Sequence, residues 1–158
     1  MAKAGIQFSK KNEWYTPKEV VDFFGPFDYD PCTTKERAEY LGIPKYDTIE
    51  TDRLKQKWPE KGKIWINPPF TKKFEFLKKA VEHTNVYWGS TVYILFPIDS
   101  LTTKKFNDII PYYYTVYLPN GRIKFEDGCG GGTSPAFGSV VLELNGVISA
   151  CKIIPWEL

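Results

Sequence analysis

The chain has little of what several function classes need. Of its 158 residues one is a histidine, His83, and three are cysteines, Cys32, Cys129 and Cys151, set far apart. No CxxC or Cys/His spacing joins them, so no structural zinc site is expected, and thiols so placed suit a reducing, intracellular compartment. No apolar run approaches the ~20 residues of a membrane helix, and nothing at the N-terminus reads as a signal peptide. An excess of one charge is missing too. The net charge of +2 and pI of about 8.3 permit a polyanionic partner but fall short of a DNA-coating protein. A glycine-rich nucleotide loop is absent: the glycine run from Asp127 to Thr133 opens no helix and reads as a flexible loop. Repeats and linkers are absent as well, so residues 1–158 are expected to form one domain, with 1–11 loosely ordered.

Aromatic residues, by contrast, are abundant: five Trp, ten Tyr and eleven Phe. Most are expected to fill the core of a small domain, leaving a few rings for function. Thr16-Pro17-Lys18-Glu19 predicts a capping box, with Thr16 as N-cap of a helix whose apolar face is Val20, Val21 and Phe24. Phe27 to Cys32 reads as a strand ending in Asp30-Pro31, and Thr34 to Gly42 as a short capped helix. Weak strand character follows at Tyr46 to Ile49. After Phe70 a helix is expected with Phe74, Leu77 and Val81 inward. Thr91–Pro97 is a buried strand, Thr103–Ile110 a helix, Tyr112–Leu118 a strand, and Arg122–Phe125 a short strand. Ser139–Leu144 and Val147–Ile154 read as a hairpin around Asn145-Gly146, a type I′ signal. The early strand–helix alternation predicts an α/β fold with a mixed sheet, helices on both faces and a C-terminal antiparallel hairpin.

The stretch that organises the chain is Ile64-Trp65-Ile66-Asn67-Pro68-Pro69-Phe70. Three apolar residues form a short buried strand, and two prolines stop it. Ligands of open α/β sheets bind at such carboxyl ends. The stiff turn presents the Asn67 amide oxygen and neighbouring carbonyls at fixed positions, which suits gripping an exocyclic amine. Asp30 also ends a strand, where an acid can bind a ribose hydroxyl or an amino group; its plain alternative is a turn residue.

Asn67-Pro68-Pro69-Phe70 resembles the Asn/Asp-Pro-Pro-aromatic motif of amino-methyltransferases that act on DNA. Four further pieces, in order, resemble the small phage-type DNA N6-adenine methyltransferases. They are Glu13-Trp14-Tyr15-Thr16-Pro17, Phe27-Asp28-Tyr29-Asp30-Pro31-Cys32, Leu95-Phe96-Pro97, and Gly121-Arg122-Ile123-Lys124-Phe125 followed by Pro135-Ala136-Phe137. The resemblance covers roughly residues 12 to 144. It implies a Rossmann-like methyltransferase using S-adenosylmethionine, acting on DNA in the host cytoplasm if phage-encoded. It implies cofactor contacts at Trp14, Tyr15, Thr16, Pro17, Asp30, Pro31, Cys32 and Asp52, and catalysis by Asn67, Pro68, Pro69 and Phe70. Thr33-Thr34 stand where many methyltransferases have a glycine-rich loop.

For DNA, Lys72 and Lys73 read as phosphate contacts, because the first turn of a helix disfavours cations. The resemblance implies Arg122 and Phe125 as further DNA contacts, Phe125 as a second wall for a flipped base. The plain alternatives are solvated lysines, a solvated Asp52 and a core Phe125. With no room after residue 71 for a separate recognition domain, loops 33–62 and 127–137 are expected to read the DNA. Oligomeric state stays open between a monomer and a weak dimer. Competing activities are methylation of a glutamine amide or of cytosine N4, and, from another class, an inactive nucleic-acid-binding module.

Overall fold

Strand side chains alternate between two apolar layers, and that alternation sets the architecture. A computed structural model describes residues 14–126, 132–133 and 137–157. Its strands are β1 (Tyr29–Asp30), β2 (Lys45–Tyr46), β3 (Gly62–Ile66), β4 (Ser90–Pro97), β5 (Thr115–Pro119), β6 (Phe125–Glu126), β7 (Gly132–Thr133), β8 (Ser139–Asn145) and β9 (Lys152–Trp156). Its helices are α1 (Lys18–Phe24), α2 (Lys35–Leu41), α3 (Lys73–Val86) and α4 (Lys104–Ile109). Seven strands form one sheet in the order β2-β1-β3-β4-β8-β5-β9, while β6 and β7 pair apart from it. Only β8 runs antiparallel to its neighbours β4 and β5; the other pairings in the large sheet are parallel.

Along β4, Val92, Ile94 and Phe96 join one core with Ile64 and Ile66 of β3 and Phe76, Leu77, Ala80 and Val81 of α3. Tyr93 and Leu95 face the other way, onto Trp65 and onto Val20, Val21 and Phe24 of α1. A strand buried on both faces is a near-continuous apolar run, which is how Thr91 to Pro97 reads. Helices therefore cover both faces of the sheet, as the strand–helix alternation predicted. Lys63 N donates to Asp28 Oδ2 at 2.8 Å at the start of β3. Gly62 is needed there: its φ is 99°, and a Cβ would meet Asp28 Oδ2 at 2.4 Å.

Four expectations are corrected. The C-terminal hairpin does not form, because β5 lies between β8 and β9. A type I′ turn needs left-handed backbone, and neither Asn145 nor Gly146 adopts positive φ. Gly146 instead admits the end of α3, where a Cβ would meet the Thr84 carbonyl at 2.6 Å. The capping box is also absent: Pro17 is the N-cap of α1, and no side chain caps it. Within the expected glycine loop, Gly132–Thr133 pair with Phe125–Glu126 as a strand, and 127–131 lie outside the described residues. On α3 the inward face is Phe76, Leu77, Ala80 and Val81; Phe74 is only partly buried, its ring 5.6 Å from Phe96.

Candidate functional site

Parallel pairing brings the carboxyl ends of β1, β3 and β4 to one edge of the sheet, with the start of β8 beside them. From β1 the chain places β2 on one side and β3 on the other. The crevice between β1 and β3 is thus the switch point, where such sheets take ligands. A cavity of about 360 Å³ opens there, a size that suits a small molecule.

One half of its wall is built on Asp30. The carboxylate is buried, and Oδ1 accepts the Cys32 N–H at 2.8 Å. Burial raises its pKa to about 7, against the opposing pull of that hydrogen bond and of Arg53. Arg53 Nη1 lies 3.1 Å from Cys32 Sγ, while its Nε is buried without a partner among the described residues. Burial, with Asp30, pushes the Cys32 thiol up to about 12, so it is no nucleophile. Opposite lies the extended segment Trp14-Tyr15-Thr16. Tyr15 forms an antiparallel bridge with Glu126, its N–H donating to the Glu126 carbonyl at 3.1 Å and the return bond measuring 2.9 Å. Thr16 Oγ1, freed from capping, is buried with no hydrogen-bond partner among the described residues. Among the described residues the Thr16 hydroxyl and the Arg53 Nε–H have no hydrogen-bond partner, and with the buried Asp30 carboxylate they leave this half of the cavity suited to a polar ligand.

The other half is the proline turn. Pro68 and Pro69 have no N–H to extend the β3 ladder, so the chain leaves the sheet just past Asn67. Asn67 Nδ2 donates to the Trp14 carbonyl at 2.6 Å. Only the amide nitrogen can face a carbonyl at that distance, so the orientation of the amide is determined and Oδ1 remains as the acceptor. Phe70 is 46% exposed, with its ring centroid 5.7 Å from that of Phe137. Lys73 Nζ lies 3.9 Å from the Phe70 ring, and burial followed by Lys105 lowers its pKa.

Of the residues expected from sequence, Trp14, Tyr15, Thr16, Asp30, Cys32, Asn67, Pro68, Pro69, Phe70, Lys73 and Phe125 line this one cavity. Phe125 does so from the core, buried and edge-on to Trp14 at 6.0 Å. Pro17 and Pro31 are buried behind the wall, and Lys72 and Arg122 are exposed outside it. Asp52 is exposed and paired with Lys55 at 3.0 Å, away from the cavity. Its neighbour Arg53 takes the place in the wall that was expected of Asp52. Arg37, Arg53, Thr71 and Phe137 also line the cavity and were not assigned a role from sequence. For Arg37 the one available signal was its position in a capped helix just after the Asp30 strand; Phe137 stood in a quoted motif.

A family model described as DNA N-6-adenine-methyltransferase (Dam) matches residues 3–142. The DNA N-6-adenine-methyltransferase of Escherichia phage T1 is 30% identical over 93 residues, 56% of this chain and 37% of that protein. The chain thus spans little more than a third of that relative's length. A crystal structure of a predicted O-methyltransferase, protein Atu636 from Agrobacterium tumefaciens, aligns with 82% of this chain and 65% of its own, at 14% identity and a TM-score of 0.42. Since the family match takes in most of the residues, including every strand from β1 to β7, the chain belongs to the DNA N-6-adenine-methyltransferase (Dam) family.

Proposed function

We propose that this chain transfers a methyl group from S-adenosylmethionine to the N6 amine of adenine in DNA. The observation that carries the proposal is the Asn67 amide, oriented by the Trp14 carbonyl with Oδ1 left as an acceptor, on the same cavity as Asp30. The buried Asp30 carboxylate and the unpaired Thr16 Oγ1 fit the cationic, amino-acid end of that cofactor. When bound, S-adenosylmethionine would supply an electrophilic sulfonium methyl, with the neutral thioether as leaving group.

The protein's own part is placement. Adenine N6 is a weak nucleophile because its lone pair is delocalised into the ring. Asn67 Oδ1 and the Pro68 carbonyl accept the two N–H hydrogens, favouring a more tetrahedral nitrogen with its lone pair directed at the methyl carbon. No strong base is needed: transfer leaves a cationic nitrogen, which loses its proton to water. Alignment and fixed acceptors account for most of the rate. The base must leave the duplex to reach the cavity, and the exposed Phe70 ring offers it a stacking face. Phe137 stands close enough to share that role, and Phe125 forms part of the wall behind. Lys73, over the Phe70 ring, and Lys105, over the Phe74 ring, provide cationic groups for the flanking phosphates.

The test is incubation with labelled S-adenosylmethionine and DNA, followed by nucleoside mass spectrometry. N6-methyladenine is the expected product. N4-methylcytosine, or label on protein glutamine only, overturns the assignment. Asn67→Ala is expected to lower turnover by two or more orders of magnitude, about the effect of one lost transition-state hydrogen bond. Cofactor affinity should hardly change.

A further inference from the structure

The strap formed by residues 14–16 has no chemistry of its own, yet it touches both halves of the cavity. Its Trp14 carbonyl holds Asn67 Nδ2 at 2.6 Å. Its Thr16 carbonyl accepts from Arg37 Nη2 at 2.7 Å. The other arm of Arg37, Nη1, pairs with Glu126 at 2.8 Å, on the strand that also bridges Tyr15. The guanidinium lies between two rings, 4.8 Å from the centroid of Tyr15 and 4.9 Å from that of Tyr40. The Arg37 side chain is only 15% exposed. Planar, with a rigid fork of donors and stacked on aromatics, it fixes the strap in a way a lysine could not.

We propose that Arg37 is a positioning residue for methyl transfer: it clamps the 14–16 strap, and the strap's Trp14 carbonyl sets the Asn67 amide. The inference rests on Asn67 being the catalytic acceptor. Without the clamp the Trp14 carbonyl shifts, the amide turns, and Oδ1 no longer faces the amine. A misplacement of about 1 Å at a reacting group lowers rate by up to ~10²-fold without weakening binding. The consequence for Asn67 is specific. An aspartate there keeps an acceptor but sets a second oxygen against the Trp14 carbonyl, so the strap repels it.

The experiment is a double-mutant cycle of Arg37→Ala and Asn67→Ala, with kcat and both KM values measured. Arg37→Ala is expected to lower kcat about 10- to 100-fold, with KM for cofactor and DNA within about threefold. On the Asn67→Ala background it should cost nothing further. Side-chain amide NMR gives a reading independent of turnover: the two Asn67 N–H signals, distinct and protected in the wild type, should lose protection in Arg37→Ala. Should Arg37→Ala fail to fold, Arg37→Lys keeps the charge without the fork and is read the same way. Asn67→Asp should fall to the level of Asn67→Ala. A full multiplicative loss in the double mutant, a defect confined to KM for cofactor, or wild-type turnover in Asn67→Asp overturns the strap. Wild-type turnover in Asn67→Ala instead overturns the catalytic reading beneath it.

Discussion

Asp30 is the residue where the proposed binding role and stability pull in opposite directions. Its pKa of about 7 lies above the ordinary 3.8 because burial disfavours the charge. Between about pH 4 and 7 the folded protein therefore holds more proton than the unfolded chain, so the ligand-free protein loses stability as pH rises through that window. Asp30→Asn keeps an oxygen for the Cys32 N–H and removes the charge. It should raise stability above pH 7 by roughly 2–4 kcal/mol, from about 1.4 kcal/mol per pKa unit. A cationic ligand binds the ionised form, so wild-type affinity for the cofactor should weaken by up to about tenfold per unit as pH falls below 7, and the variant should bind poorly at every pH. Calorimetry and urea melts at pH 5.5 and 8 check both halves; a variant less stable than wild type at pH 8 contradicts the account. Asp30 and Asn67 stood out in the sequence because each ends a strand pattern and precedes a proline. Arg37 and Arg53 were not: their roles come from what the fold brings against them, and a helix or loop arginine has no local mark of that.

At the scale of elements, the cations near the proline turn come from two helices. Lys73 opens α3, and Lys105 lies in the first turn of α4 with its ammonium 4.9 Å from the Phe74 ring. Lys73 Nζ is 5.0 Å from the same ring. Among the described residues neither forms an ion pair, whereas Lys104 pairs with Asp108 at 2.6 Å. A phosphate between α3 and α4 would supply the missing charge. Lys105→Ala and Lys73→Ala should each reduce the slope of log DNA affinity against log salt by about one. Lys104→Ala should change it less, and an unchanged slope in Lys105→Ala returns that lysine to the ordinary surface. The sequence placed Lys73 beside the turn, since the two are contiguous. It was silent about Lys105, because only the packing of α4 on α3 makes residues 73 and 105 neighbours.

At the scale of the molecule, two apolar cores lie back to back across one sheet, and the cavity opens where the sheet's chain order reverses. Ligand binding at that edge is coupled to the fold as a whole. At a cofactor concentration about a hundred times its Kd the folded state should gain ~2.7 kcal/mol, read as a raised melting temperature. A nucleic-acid-binding module without a cofactor site would show no shift. Leu142, buried on β8 between β4 and β5, ties the antiparallel strand to both neighbours. Leu142→Ala should cost about 2–5 kcal/mol in urea unfolding. By itself the sequence determined most of the elements and the proline turn after Asn67: apolar alternation, the helix cap at Thr34 and proline stops are local, so they survive without the fold. The tertiary structure alone decided which strands are neighbours, placing β5 between β8 and β9 against the hairpin signal of Asn145-Gly146. It also turned Thr16 from a cap into a cavity group and set Phe137 beside Phe70. Each of these depends on contacts between residues far apart in the chain, and their energy outweighs the weak preferences of a single turn or cap.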